Sequence, residues 1–245
     1  MYKLTTFFEI EGGIMGDQKR KLSKDGSVHV TDEKFNTMSH MLGLMISLLG
    51  VAILIVSASI QKAPWKIVSF SLYGFSLLGM FLFSTLHHGI NSSHKIEEIF
   101  RLFDYAAIFP LIAGTYTPLC LVTMRGNDFW RPYAWCIFGV VWFLAILGIS
   151  LKSSMSWLPK WVTTTIYVGM GWVGGLLLVP VYKLCGIMAV FLILLGGVFY
   201  TVGSLIFFME KPNPIEGKFG FHEIWHIFVI LGALSHYLVM LIYVL

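Results

Sequence analysis

Residues 219–245 read FGFHEIWHIFVILGALSHYLVMLIYVL, and this stretch decides the fold class of the chain. Glu223 is its only Asp, Glu, Lys or Arg residue. A helix needs about 20 mainly apolar residues to cross a bilayer, and this stretch is longer. It is continuously apolar instead of alternating, and in lipid an α-helix satisfies its own backbone hydrogen bonds. The stretch therefore predicts a membrane-spanning α-helix.

Six further segments share this character, so the sequence predicts an all-α bundle of seven transmembrane helices. Hydrophobic residues make up 57% of the chain and charged residues 12%, against about 45–50% and about 25% in soluble domains. Pro180, Lys183 and Gly186 mark the break between the fifth and sixth segments. Without that break the run would be too long for one span. The predicted spans are 36–60, 67–88, 105–124, 132–151, 161–181, 184–209 and 219–245.

The distribution of basic residues predicts the orientation of the bundle. Residues 1–35 contain six Lys and Arg residues and no apolar stretch typical of a cleavable signal peptide. With the N-terminus in the cytoplasm, the inside segments carry 12 Lys and Arg residues and the outside segments carry 5. Cytoplasmic loops are enriched in such residues. We therefore expect a cytoplasmic tail over 1–35, a membrane domain over 36–245, and a C-terminus outside.

The strongest chemical pattern is a pair of histidines at the start of the seventh span. His222 and His226 are four residues apart and so share a helix face. Two imidazoles on one face are suited to a single zinc ion. The alternative is a pair of interfacial histidines that form hydrogen bonds to neighbours. The three cysteines form no CxxC pair, which argues against a cysteine zinc site.

The end of the second span carries a matching polar group, Ser84-Thr85-Leu86-His87-His88. In the predicted topology these residues reach the cytoplasmic side, at the level of His222 and His226. Ser84 shares a helix face with both His87 and His88, so spacing does not choose between them. Histidines that simply face water are the alternative interpretation.

Three other ionisable residues deserve individual interpretations, since such residues are costly inside a membrane. Asp104, at the predicted start of the third span, is placed to hold a zinc-bound water or orient a ligand, or to cap the helix. His40 is a candidate for packing or for supporting the site. His236 lies 14 residues after His222, which is about 21 Å along a helix. It is too distant to share the metal and is expected to face the bundle interior.

Four motifs in order resemble the haemolysin III family, the bacterial branch of the progestin and adipoQ receptor group. They are EKFNTMSH in the first span, FSTLHHG at the end of the second, LFDYAAIFPLIAGTYTP in the third and FHEIWHIFVILGALSH in the seventh. The resemblance runs from about Glu33 to the C-terminus. It implies seven helices with the N-terminus inside.

The resemblance also implies a zinc ion held by one histidine of the second span and two of the seventh. The family's helix-two histidine follows a serine by four residues, which selects Ser84 and His88. His222 and His226 fill the HxxxH pattern of the seventh span. Asp104 matches the acidic residue that contacts the metal-bound water.

The function that follows is a zinc-dependent hydrolase of a lipid-like amide or ester. In this hypothesis Asp104 positions or deprotonates water, and Ser84 hydrogen-bonds the water or the developing oxyanion. The looser resemblance to alkaline ceramidases suggests the substrate class. We expect a membrane lipid as partner and no nucleic acid.

Three alternatives stay open. Zinc could be a structural staple in a receptor-like or stress-related membrane protein, or the protein could damage membranes as a haemolysin. HEIWH also satisfies HExxH, in which Glu223 would be the general base of a metalloprotease. No later motif supplies the acidic third ligand that an intramembrane protease needs.

Overall fold

The chain forms seven spans in a computed structural model that describes Lys24, Ser27, His29, 31–155 and 159–245. Each span is long and apolar enough to cross a membrane, which confirms the predicted all-α bundle and its multi-pass character. The helices are α1 (Glu33–Ile60), α2 (Pro64–Gly89), α3 (His94–Pro118), α4 (Arg131–Ser154), α5 (Lys160–Trp172), α6 (Leu178–Cys185), α7 (Ile187–Met209) and α8 (Phe221–Val239). Two short π-helical segments extend α3 and α8, at Leu119–Met124 and Met240–Val244.

The third span begins much earlier than predicted. α3 starts at His94, after Ser93 at its N-cap, and includes most of the segment expected to be a polar joint. Polar residues there form exposed first turns, with Glu97 and Glu98 in favourable positions near the positive end of the helix dipole. Asp104 therefore lies inside α3, and the capping interpretation of Asp104 is wrong.

The fifth and sixth spans are joined by a single residue. α6 ends at Cys185, α7 begins at Ile187, and Gly186 between them has φ 87°. That positive φ favours glycine, which has no Cβ to clash. The predicted break is thus confirmed.

The fifth span also changes helix type midway. Residues Val173–Leu177 form a 3₁₀ segment between α5 and α6. The hydroxyl of Tyr116 on α3 donates to the carbonyls of Met170 (3.0 Å) and Gly171 (2.6 Å) just before this change. Unpaired backbone groups are costly in lipid, so Tyr116 stabilises the irregular segment.

Close packing brings the helices together where small residues face large ones. A Cβ on Gly43 would lie 2.6 Å from the Phe81 ring, and one on Gly148 would lie 2.2 Å from the Phe109 ring. Helix packing in membranes depends on such small residues, because lipid tails remove the hydrophobic driving force. Helix α1 packs on α2, α2 on α3, α3 on α4, and α7 on α8, with α1 and α8 also in contact.

Part of the predicted tail packs against one end of the bundle. The Nζ atom of Lys24 donates to the carbonyls of His87, His88 and Ile90 at 2.7–3.0 Å. Ser27 is buried and donates to Glu210 at 2.8 Å. Most of the remaining predicted tail, 1–23, lies outside the described residues, and the predicted cytoplasmic location of the N-terminus remains a prediction.

Candidate metal centre

Three predicted ligands come together at one end of the bundle, here called the histidine end. His88 comes from the last turn of α2, and His222 and His226 come from the first two turns of α8. All three are buried, and the centroids of their rings are 4.9 Å apart in every pair. One ligand nitrogen from each lies within 4.8 Å of the others. This group could hold a metal ion.

A carboxylate fixes the orientation of the first imidazole. Nδ1 of His88 lies 2.6 Å from Oε2 of Glu33, in the first turn of α1. A carboxylate accepts, so His88 carries its proton on Nδ1 and presents a lone pair at Nε2. That Nε2 is buried and has no hydrogen-bond partner among the described residues. An oriented, buried lone pair of this kind suits a metal ligand.

A hydroxyl fixes the second imidazole in the same way. Nδ1 of His226 lies 3.2 Å from Oγ of Ser39, whose own proton is donated to the carbonyl of Asn36 at 3.0 Å. The Ser39 oxygen therefore accepts from His226 Nδ1, which leaves the lone pair of His226 at Nε2. Two of the three histidines thus have the same tautomer, with the lone pair on Nε2.

The third histidine, His222, lies against His226. Nε2 of His222 and Nε2 of His226 are only 3.1 Å apart. At this distance one nitrogen donates a hydrogen bond to the other, and a cation that replaced that proton would be bound by both lone pairs. The outer nitrogens of His88 and His226 are held by neighbours, which matches the usual support of metal-bound histidines. The residues present therefore fit a zinc ion held by three protein ligands.

A second group shares one member with the first. One ligand atom each of His87, His88 and Asp104 also lie within 4.8 Å of one another. His88 belongs to both groups, whereas His87 belongs only to the one with Asp104. The structure therefore brings the carboxylate of α3 beside the histidine pair of α2.

A mainly apolar cavity leads away from the histidine end. It is lined by Ser84, Asp104, His222 and His226 at one end, and by further residues of α3, α5, α7 and α8 along its length. Ser84 is buried, and Asp104 is half-buried. The two residues predicted to act on a substrate thus share a cavity wall with two of the predicted ligands.

Glu223 has a structural position that does not suit a general base. Its side chain is fully buried, and Oε2 accepts from the backbone N–H of Gly220 at 2.8 Å. Oε1 accepts from the backbone N–H of Asp32 at 2.5 Å and from Asn36 Nδ2 at 3.5 Å. These bonds cap α8 and link it to the start of α1. The arrangement favours this capping role over the metalloprotease interpretation of HEIWH.

Sequence reasoning missed the partners that orient the ligands. Glu33 and Ser39 lie in the quoted EKFNTMSH motif, but nothing in their spacing connects them to residues of α2 and α8. His40, in the same motif, stacks on His226 with ring centroids 3.7 Å apart. His236 lines the cavity, as expected of a residue facing the bundle interior. His29, in the tail, also contacts this end of the bundle, with its ring edge-on to Phe221 and the centroids 6.2 Å apart.

Comparisons with known proteins show several relatives that match most of the chain. The chain is 36% identical to Hemolysin-3 of Bacillus cereus over 218 residues, which cover 88% of this chain and 93% of that protein. It is 33% identical to the Hemolysin-3 homolog of Bacillus subtilis (strain 168), over 87% of this chain and 95% of the relative. Monocyte to macrophage differentiation factor of Homo sapiens is 25% identical, over 82% of this chain and 80% of the relative.

The family assignment confirms the resemblance seen in the four motifs. The family model described as Haemolysin-III related matches residues 28–237. This match spans α1 to α7 and nearly all of α8, and it includes every residue of the histidine group. The chain therefore belongs to the haemolysin III family of seven-helix membrane proteins.

Proposed function

We propose that the protein is a zinc-dependent hydrolase that cleaves an amide or ester bond of a lipid-like substrate. The observation that carries the proposal is the placement of three buried histidines at one end of an apolar cavity. Three protein ligands leave one position open, which is how catalytic zinc sites are built. A closed structural site would need a fourth protein ligand.

Each side chain at the histidine end has a proposed role. His88, His222 and His226 hold the zinc ion, and Glu33 and Ser39 keep the ligand nitrogens aimed inward. Zinc, when bound, supplies Lewis-acid polarisation of the substrate carbonyl and acidifies water. The apolar cavity binds the substrate chain by burying its surface.

Asp104 is proposed to move the proton. In the reaction a water oxygen bonds to the carbonyl carbon, and the C–N or C–O bond breaks. Asp104 accepts a proton from the water and returns it to the departing amine or alcohol, so the carboxylate ends in its initial state. Ser84 donates its hydroxyl hydrogen bond to the carbonyl oxygen as negative charge develops there.

The basic-residue distribution supports a location of this site at the cytoplasmic face. The predicted inside segments hold most of the Lys and Arg residues, and the histidine end contains the starts of α1, α3 and α8. A substrate or product would then exchange with the inner leaflet or the cytoplasm.

The first test is metal content. Mass spectrometry of the purified wild type should find about one zinc per chain, in line with one three-histidine site. The double variant His222→Ala, His226→Ala should contain none. Zinc in equal amounts in both proteins would place the metal elsewhere and end the proposal.

The second test separates hydrolysis from metal binding. Asp104→Asn keeps the shape of the side chain but removes the proton acceptor, so it should retain zinc and lose turnover by about 10²–10⁴-fold. Release of acid from a panel of lipid amides and esters would be measured. Full activity in Asp104→Asn would exclude Asp104 as the base.

A structural zinc site is the second candidate. Asp104 and His87 lie close enough to His88 to form an alternative ligand group. Loss of zinc from Asp104→Asn would make Asp104 a ligand and favour a structural zinc site that joins α2, α3 and α8.

Membrane damage, suggested by the name of the Bacillus cereus relative, would be tested by leakage from vesicles. The apolar lining of the cavity argues against a water-filled pore.

A further inference from the structure

The far end of the cavity contains an interlocked pair of side chains on α7 and α8. A Cβ on Gly196 of α7 would lie 2.5 Å from His236 Nε2, and a Cβ on Gly232 of α8 would lie 2.9 Å from the Tyr200 ring. Each glycine lies four residues before the ring that its own helix contributes. The two glycines therefore admit the two rings, whose centroids are 5.6 Å apart. We call Tyr200 and His236 the distal pair.

The hydrogen bond of His236 fixes its tautomer. Its Nε2 lies 3.2 Å from the backbone carbonyl of Ile193. A carbonyl only accepts, so Nε2 carries the proton and Nδ1 carries the lone pair. Nδ1 is buried and has no hydrogen-bond partner in the described part of the chain.

Tyr200 repeats this situation with a hydroxyl. Its oxygen is also buried, and no described residue forms a hydrogen bond with it. Both Tyr200 and His236 line the cavity that begins at the histidine end. Leaving a buried polar group without a partner is costly. Two such groups on rings whose centroids are 5.6 Å apart point to a shared partner.

The chemistry of the pair defines that partner. Nδ1 of His236 needs a donor, and the Tyr200 hydroxyl can either donate or accept. An alcohol matches both, because it donates to Nδ1 and accepts from Tyr200. A carboxylate is excluded as the partner, because its negative charge would face the Nδ1 lone pair. A metal ion is excluded because a single imidazole nitrogen provides too few ligands.

We propose that Tyr200 and His236 bind the hydroxyl group of a long-chain, hydroxylated lipid that occupies the cavity. His236 follows His222 by 14 residues on the same helix, which separates them by about 21 Å. The hydroxyl therefore lies far along the chain from the group held at the histidine end. The site shares its cavity with the proposed hydrolase but requires neither a metal nor hydrolysis.

Binding of matched chains tests the proposal. Saturated fatty acids of graded length and their ω-hydroxy derivatives would compete with a fluorescent fatty acid for the full-length protein in detergent. At one chain length the wild type should prefer the hydroxylated acid by about tenfold, the value of one hydrogen bond to a buried group. Tyr200→Phe keeps the ring beside Gly232 and should abolish the preference without weakening the plain acid.

Two further variants complete the design. His236→Leu should also abolish the preference, whereas Tyr182→Phe, at an exposed tyrosine outside the cavity lining, should keep it. Equal binding of both acids by the wild type at every length would overturn the proposal. The hydrogen-bond partner of the distal pair would then be a buried water molecule. A preference that survives in Tyr200→Phe would overturn it as well. The experiment measures binding only, so it tests the distal pair even if the protein hydrolyses no lipid.

Discussion

The two ends of the cavity use the same side-chain type for opposite purposes. At the histidine end, the Nδ1 atoms of His88 and His226 are held by Glu33 and Ser39, and their Nε2 atoms face the centre. At the distal pair, Nε2 of His236 is held by a backbone carbonyl, and Nδ1 faces the cavity.

The hydrogen-bond acceptor at one nitrogen of each ring therefore determines that the other nitrogen carries the lone pair. The number of nitrogens that converge decides what they can bind. Three imidazole nitrogens that converge on one region suit a metal ion. A single lone pair beside a hydroxyl suits a hydrogen-bonding ligand.

Removing one converging nitrogen at the histidine end should have the largest effect. His226→Ala should lose zinc and the stabilisation that zinc binding gives to the folded state. Zinc content and thermal unfolding in detergent would be measured. His236→Ala is the matched control on the same helix and should retain zinc. Loss of zinc from both variants would mean that the two ends do not differ as described.

Loosening the support of one ligand should have an intermediate effect. Glu33→Gln retains the size of the side chain but removes the charge that holds Nδ1 of His88. Zinc affinity should fall by about 10–100-fold, as is common when the outer partner of a ligand is changed.

Competition with a chelator of known affinity would measure the change produced by Glu33→Gln. Glu98→Gln is the control, since its half-exposed carboxylate pairs on the surface with His94 and Arg101. Unchanged affinity in Glu33→Gln would show that the His88 ring is oriented by other contacts.

Filling the space under the distal pair should have the smallest effect. Gly196→Ala forces a methyl group against the His236 ring and should lower the free energy of unfolding by about 1–3 kcal/mol.

Gly197→Ala is its neighbour and control, because a Cβ there meets nothing within 4 Å. It should be neutral or slightly stabilising, since alanine favours helix. Denaturation of both variants in the same detergent would compare them, and equal stability would mean that α7 and α8 separate without cost.

The sequence predicted what depends on local spacing. Most of the spans follow from the length of their apolar runs. The HxxxH face of α8 and the shared face of Ser84 and His88 follow from helical periodicity. The choice of His88 over His87 came from the family resemblance, because both share a face with Ser84. The structure agrees to the extent that His88 belongs to the three-histidine group.

What sequence missed depends on contacts between distant helices. Glu33 and His88 are 55 residues apart, and Ser39 and His226 are 187 apart. No periodicity connects such residues. The start of α3 was missed because the hydropathy of 94–104 is that of a loop, although these residues form exposed helical turns before the apolar part of the span. The interlock of Gly196 with His236 likewise depends on the register between α7 and α8.

The one-residue connection at Gly186 limits how the cavity wall can move. Because a single residue connects α6 and α7, neither helix can slide along the other by the length of a turn. Relative movement of the fifth and sixth spans reduces to swinging about Gly186 as a pivot. The displacement is then smallest beside the pivot and greatest at the opposite ends, near Lys160 and Met209. Those ends belong to the half of the bundle that contains His222, so a swing of these spans would most change access to the three histidines.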